Sequence, residues 1–345
     1  MKTLIKNGLL IDPANQVQAY LNLILEDGKV VAVTEEEPEA DRVIDATGKV
    51  VAPGFIDIHM HEDPVKDGKI EFCIFDAMLR MGVTTAVGGN CGINVYDPVK
   101  YLDMVEKDGA PVNVMLFAGH QYFREAAGAL DKYAPVTKEQ QEHMKKGLEK
   151  ALEAGCVGIS YGLRYVPGTG RDEFLDTASC CEKEHRMISA HVRDDEDRVF
   201  GAVAEVAEAG KLYNIPVQVS HIGSMAGFGQ MKQLLRQVDG YRMNGIDVAC
   251  DCYPYFAFST RIGATTYDDG WLERYHCDYS ACQLTEGKYK GQRCTPETFA
   301  EMRRDFPECL TVCYVMDEND IRMAFADPGV MVGSDGLIDN GHGHP

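Results

Sequence analysis

Residues 51–61, VAPGFIDIHMH, set the reading of the whole chain. Pro53 and Gly54 interrupt what precedes them. Residues 55–61 then form a β-rich run that closes on His59-Met60-His61. Strand side chains alternate between faces, so histidines two apart project from the same face. Downstream of Gly54, apolar β-rich runs alternate with segments of helical period, the pattern of βα units feeding a parallel sheet. Eight runs fit it: 55–61, 83–90, 112–119, 157–162, 188–193, 217–223, 247–253 and 330–335. Helices are expected between them, for example over 138–154, 195–213 and 230–243, where apolar residues recur every three and four positions. The chain is therefore read as α/β, a (β/α)8 TIM-like barrel. A doubly wound open sheet is the alternative, but no glycine-rich phosphate loop follows the first run.

Upstream, residues 1–52 read as a small β-sandwich module of short strands, with Asp27-Gly28 as a hairpin turn and Thr47-Gly48 as a second turn. This module holds too little apolar sequence to stand alone. The barrel is assigned to 53–345. Within it, residues 260–328 are longer than a simple βα connection and carry the chain's one tryptophan, Trp271, so a lid or insertion is expected there.

Thirty-four basic against 54 acidic side chains leave a formal charge of −20, which argues against nucleic acid or an anionic membrane surface as a partner. No run approaches the roughly 18 apolar residues of a spanning helix. The first residues, with Lys2, Lys6 and Asp12, lack the uninterrupted apolar core of an export signal, so a cytoplasmic protein is expected. Twelve cysteines are then read as reduced thiols. Cys250-x-Cys252 and Cys277-x4-Cys282 each supply half of a structural zinc pattern without a second pair at finger-like spacing, so they are assigned to the core.

Catalytic groups of such barrels sit at the C-terminal ends of the strands. Here the first run ends in His59 and His61, the second in Asn90-Cys91-Gly92, the fifth in His191-Val192-Arg193-Asp194, the sixth in Ser220-His221 and the eighth in Ser334-Asp335. A lone histidine or cysteine at a strand end is usually a packing residue. Four histidines, a cysteine and an aspartate converging on one mouth are not explained by packing. Imidazole and thiolate are preferred zinc donors, and a catalytic zinc keeps an open position for water. His120 ends the third run, whereas His143, His185 and His276 fall in helices or in the insertion and are treated as surface or structural.

These residues carry a resemblance. The run 51–61 resembles the metal-binding opening of the amidohydrolase superfamily. Asn90-Cys91-Gly92, Gly119-His120 with Arg124, residues 162–168 (GLRYVPG), 191–194 (HVRD), Ser220-His221, 251–255 (DCYPY), 334–336 (SDG) and His344-Pro345 follow in the order seen in the D-aminoacylases, the N-acyl-D-amino-acid deacylases. Hydantoinase and dihydroorotase relatives use a carboxylated lysine ending strand 4. Residues 157–165 contain no lysine, and Cys91 stands in the place of the D-aminoacylase cysteine. The resemblance implies Zn2+ held tightly by Cys91, His191 and His221, with His59, His61 and Asp335 as a second, weaker position. It implies that Asp335 is catalytic, moving the proton while water attacks the amide carbonyl of a small N-acyl amino acid. Tyr165 and Tyr255 match substrate-binding positions. Arg193 is expected to bind substrate or, with Asp194, to orient His191.

Two departures qualify the resemblance. Family members often carry His-x-Lys on strand 6, with the lysine facing the substrate, where this chain has His221-Ile222-Gly223. The family also reads His-Pro-Arg where this sequence stops at His344-Pro345, and that arginine is the expected anchor for the α-carboxylate. Because the family continues further, the barrel and its β module are expected to be truncated at the C-terminus, with marginal stability or oligomerisation following. Two other readings stand beside the deacylase: an amidohydrolase acting on a cyclic amide or another N-acyl compound, and a catalytically silent barrel scaffold. Silent relatives lose metal ligands, and all six are present here.

Overall fold

Alternating apolar residues in the first 55 positions build two small sheets. Strands Lys2–Lys6, Asn22–Glu26, Lys29–Thr34 and Arg42–Asp45 form a four-stranded sheet, and Leu9–Asp12, Val17–Tyr20 and Val50–Val51 a three-stranded one. Asp27 and Gly28 reverse the chain with φ of 48° and 77°, placing Glu26 opposite Lys29, as a two-residue hairpin turn requires. These strands lie in the unit Met1–Phe55, and Ile56–Pro345 forms a second unit. The computed structural model describes residues 1–339 and 342–343, so His344 and Pro345 lie outside the described residues.

The eight runs read from the sequence are eight parallel strands. In spatial order they are Phe55–Asp57, Val83–Gly88, Asn113–Leu116 continued by Ala118–Gly119, Gly158–Gly162, Met187–His191, Val217–Val219, Val248–Cys252 and Val330–Val332. The eighth returns to the first. Met60 pairs in parallel with Gly336, the Asp335 N–H donates to the His59 carbonyl at 2.8 Å, and the His61 N–H donates to the Gly336 carbonyl at 2.8 Å. The barrel is thereby closed, as expected.

Alternation along these strands divides two chemistries. Ile159 and Tyr161, Ile188 and Ala190, Val217 and Val219, and Cys250 and Cys252 belong to the main apolar core. Ser160, Ser189 and Gln218, set level by the strand register, face the other way, with Asp251 one layer higher. These polar residues are buried and bond to one another and to the loops. Ser189 Oγ donates to Asn90 Oδ1 at 3.2 Å, and the Gln218 amide donates to Asp251. Continuing the same alternation by two residues brings His191 to the mouth.

The helix Lys138–Glu153 starts from a capping box between Thr137 and Gln140 and buries Met144, Leu148, Ala151 and Leu152, a stripe of helical period. The helix expected over 195–213 begins later, at Val199, after a short 3-10 turn Glu196–Arg198. Glu196 sits at φ 56°, outside the helical region, and Asp195 is committed to partners in the insertion.

The segment expected as a lid or insertion divides in two. Strands Phe258–Arg261, Leu310–Cys313 and Cys282–Leu284 make an antiparallel sheet, accompanied by the helix Pro296–Asp305. Trp271 stacks on Phe299, with ring centroids 5.2 Å apart. Beyond this sheet, helix Glu318–Ala326 packs on Met231–Met243 and on the eighth strand, so it is a barrel helix. Among the described residues no helix is long and apolar enough to cross a membrane.

Candidate metal centre and active site

Five strand ends deliver the donors. His59, His61, Cys91 and Asp335 place ligand atoms within 4.8 Å of one another, and Cys91, His191 and His221 do the same. Cys91 is common to both groups. Its sulfur lies 3.5 Å from His59 Nε2 and 3.4 Å from His221 Nε2, while Asp335 Oδ1 lies 3.4 Å from His59 Nε2 and 3.3 Å from His61 Nε2. The His191 and His221 rings are 4.5 Å apart.

Three of these six residues occupy the left-handed region of backbone space: Cys91 at φ 55°, His221 at φ 33° and Asp335 at φ 52°. Non-glycine residues seldom adopt that conformation, and it is retained where the surroundings over-determine it. The surroundings here are buried hydrogen bonds. Asn90 donates to the carbonyls of Val87 and Met60, and Glu62 accepts from the Gly89 and Val95 N–H groups on either side of Cys91. Asp57 accepts from the N–H groups of His59 and Ser334, joining the first strand to the eighth.

Asp251, next to last in the seventh strand, was given no role on sequence. It accepts from the Gln218 amide and from the His221 N–H, and its carboxylate lies 3.2 Å from His59 Nδ1. That contact favours the tautomer with the proton on Nδ1, leaving Nε2 as the donor atom toward Cys91 and Asp335. Ser224 Oγ similarly meets His221 Nδ1 at 3.1 Å. The signal for Asp251 was an acidic residue on the inward face of a strand end.

Burial opposes charge throughout the cluster, and local partners decide the outcome. Against burial, Asp251 and Cys91 hold His59 well above the usual imidazole range, and Asp335 and Cys91 raise His61 to about 10. His221 is raised against burial by Cys91, while burial and the His221 charge lower His191. Despite burial, the charges on His59 and His221 hold the Cys91 thiol well below its ordinary value. Hydrogen bonds from His59 and His61 outweigh burial and do the same for Asp335. The cluster thus favours a thiolate and a carboxylate beside the cationic imidazoles of His59, His61 and His221, the arrangement in which a metal ion replaces protons. Among the described residues His191 Nδ1 is buried with no hydrogen-bond partner, a nitrogen available to an ion. The donor set fits zinc.

Tyr165 joins the cluster, its ring 4.4 Å from that of His191, and burial followed by the charges of Cys91 and Asp335 keeps its phenol protonated. Arg193 and Tyr255 are not brought there. The Arg193 guanidinium is held by both Glu205 oxygens, at 2.9 and 2.8 Å. Tyr255 is exposed because the seventh strand ends at Cys252, so the alternation that would have turned it inward stops first. Tyr253 lines the cavity instead, 6.5 Å from the His221 ring. Gly223 has no room for a side chain, since a Cβ there would lie 2.8 Å from Ile321 and 2.9 Å from the Cys252 sulfur.

Beside the donors is a cavity of about 20 Å³, closed over by Phe258, Thr260, Thr266 and Tyr275 of the insertion. It has room for about one water molecule. A closed eight-stranded parallel barrel with sulfur, imidazole and carboxylate donors at its mouth defines a metal-dependent hydrolase class of site.

The profile of the Amidohydrolase family matches residues 42–163. N-acyl-D-glutamate deacylase of Alcaligenes xylosoxydans xylosoxydans is 30% identical over 370 residues, covering 99% of this chain and 75% of that protein. D-aminoacylase of the same organism is 27% identical, covering 99% and 76%. The crystal structure of N-acyl-D-glutamate deacylase from Bordetella bronchiseptica, complexed with zinc and a phosphonate that mimics the tetrahedral intermediate, matches with a TM-score of 0.85 at 29% identity, over 99% of this chain and 77% of that one. The chain belongs to the amidohydrolase family, in its D-aminoacylase branch.

Proposed function

We propose that this chain is a zinc-dependent amidohydrolase that cleaves the amide bond of N-acyl-D-amino acids to a carboxylic acid and a D-amino acid. The observation that carries the reading is Cys91 placed within ligand distance of His191 and His221, with the Asp335 carboxylate alongside, in a chain that aligns over 99% of its length with an N-acyl-D-glutamate deacylase. Cys91, His191 and His221 would hold the tight ion, and His59, His61 and Asp335 a second, weaker position. Zinc, when bound, supplies positive charge that favours deprotonation of water near neutral pH and polarises the amide carbonyl.

The remaining work belongs to side chains. Asp335, ionised and oriented by His59 and His61, accepts the proton of the attacking water and returns it to the departing nitrogen. Tyr165, kept protonated by burial, is positioned to donate a hydrogen bond to substrate oxygen. Substrate requires far more room than the present cavity offers, so the insertion segment that carries Phe258 and Tyr275 withdraws to admit it. The twelve free cysteines suit a reducing, cytoplasmic location.

The test is amine release from paired D and L N-acetyl amino acids by zinc-loaded protein. Hydrolysis confined to the D members supports the reading. No release from either enantiomer, with zinc retained, refutes it and moves the assignment to a cyclic amide or another N-acyl compound. Protein with neither zinc nor activity is a silent scaffold.

A further inference from the structure

Three cysteines stand abreast in the insertion. Cys282 is directly opposite Cys313 of the neighbouring strand. On its other side, an antiparallel bridge between Gln283 and Arg293 sets it opposite Cys294, whose N–H donates to the Cys282 carbonyl at 2.8 Å. Residues directly opposite share a face of the sheet, so the three thiols project to one side. Phe258, opposite Cys313 on the next strand, ends the row and lines the reaction cavity. Among the described residues, neither group of donors close enough to share a metal ion includes these thiols. Their spacing suits a covalent bond. Opposite residues on antiparallel strands lie ~4.5–5.5 Å apart between Cα atoms, inside the ~4.4–6.8 Å that a disulfide spans.

Local chemistry separates the two partners open to Cys282. Its thiol shares a hydrogen bond with Cys294, the largest influence on both groups. That bond, with Tyr267, Thr311 and Arg293 adding to it against burial, holds Cys282 below the ordinary thiol range and Cys294 above it. Burial pushes Cys313 up. Cys282 is therefore the group disposed to be a thiolate, and Cys294 the thiol already in contact with it. Cys294 is itself buried, but it sits between exposed Arg293 and Thr295. Local opening of this surface segment admits a water-sized oxidant without unfolding the barrel.

We propose that Cys282 and Cys294 are a redox-responsive pair that hydrogen peroxide joins into a disulfide, stiffening the insertion over the reaction cavity. The Cys282 sulfur attacks one peroxide oxygen and breaks the O–O bond, giving a sulfenic acid and releasing water. The Cys294 sulfur then attacks the Cys282 sulfur, and the departing hydroxide leaves as water with the remaining thiol proton. Two thiols and one peroxide become one disulfide and two waters. A thiol reductant reverses the bond. The proposal goes beyond the deacylase reading and does not depend on it, since neither cysteine belongs to the metal donors.

The test is a non-reducing tryptic map of the zinc-loaded protein after titration with hydrogen peroxide and alkylation of the remaining thiols. Cleavage after Arg274, Lys288, Arg293 and Arg303 puts Cys282 and Cys294 on separate peptides. These peptides are expected to be joined, with fragmentation placing the bond at Cys282 rather than Cys277, and the link should form at least tenfold faster than any link to Cys313. Cys294→Ser should leave Cys282 as a sulfenic acid that dimedone traps, and the wild-type map decides the matter if that variant fails to fold. Amide hydrogen exchange in Phe258–Arg261 and Leu310–Cys313 should slow at least threefold in the oxidised protein and recover with dithiothreitol. A dominant link from Cys282 to Cys313 or Cys277, over-oxidation without a disulfide, or both thiols unreacted while exposed Cys73 is consumed overturns the pairing. Unchanged exchange in fully bonded protein overturns the stiffening.

Discussion

Gly162, the last residue of the fourth barrel strand, lies so close to Cys91 that a Cβ at 162 would overlap the Cys91 carbonyl oxygen. This strand end therefore has no space for a side chain while the Cys91 loop keeps its conformation. Gly162→Ala should displace the Cys91 loop, cost about 1–3 kcal/mol of stability and lower bound zinc. Elemental analysis and a urea melt check this, and a variant with normal zinc and stability would refute it.

Asp335 contacts two imidazoles and reaches the solvent side of the site, so removing its charge should harm chemistry more than metal retention. Asp335→Asn is expected to keep nearly normal zinc while losing roughly 10²–10⁴-fold in kcat. An asparagine enzyme with unimpaired turnover would exclude the proton-transfer role.

Asp251 touches no substrate cavity and acts through His59 and the His221 backbone. Asp251→Asn loses the charge that holds the His59 tautomer. Metal affinity should drop roughly 10–100-fold, with the backbone fold intact. Competition against a chelator of known affinity measures the drop, and circular dichroism monitors the fold. Unchanged affinity would assign Asp251 to packing alone.

Glu173 is the buried counter-charge of Arg124, 3.0 Å from its Nε and 3.0 Å from His120 Nε2. Arg124 also holds the Asp131 and Ala134 carbonyls. Glu173→Gln leaves a buried guanidinium without its partner and should cost about 3–5 kcal/mol. Burial opposes ionisation, but His120 and Arg124 hold the Glu173 carboxyl below its ordinary value. A carboxyl depressed on folding stabilises above its unfolded pKa of about 4.3. That contribution fades as pH falls through the lower folded value. Wild type should thus lose stability in acid over a range in which the glutamine variant changes less, as denaturant melts at several pH values would record.

Much of this architecture was legible because strand alternation and βα spacing leave marks every few residues. Seven of the eight barrel strands fell within the runs read from sequence and the fifth began one residue earlier, at Met187, and the residues proposed as ligands were found by asking what ended each run. The less legible parts depend on where a strand stops and on which partner a long side chain finds. Tyr255 was named from the resemblance, and sequence does not reveal that the seventh strand ends at Cys252, which leaves Tyr255 exposed and Tyr253 at the cavity. Arg193 was placed near substrate because nothing local shows that Glu205, one helix away, takes both of its donors. Asp251 escaped because its partners, His59 and Gln218, are far away in sequence and meet it only when the barrel closes.

Cys91, His221 and Asp335 bring the earlier backbone observation to a practical end. At each of them the main chain favours glycine or asparagine, while the chemistry requires sulfur, imidazole or carboxylate. The most stable residue and the useful residue are then different amino acids at the same position. A laboratory selection for thermal robustness alone would be expected to erode these positions first. Thermostabilising this protein therefore calls for holding all three fixed and seeking gains elsewhere.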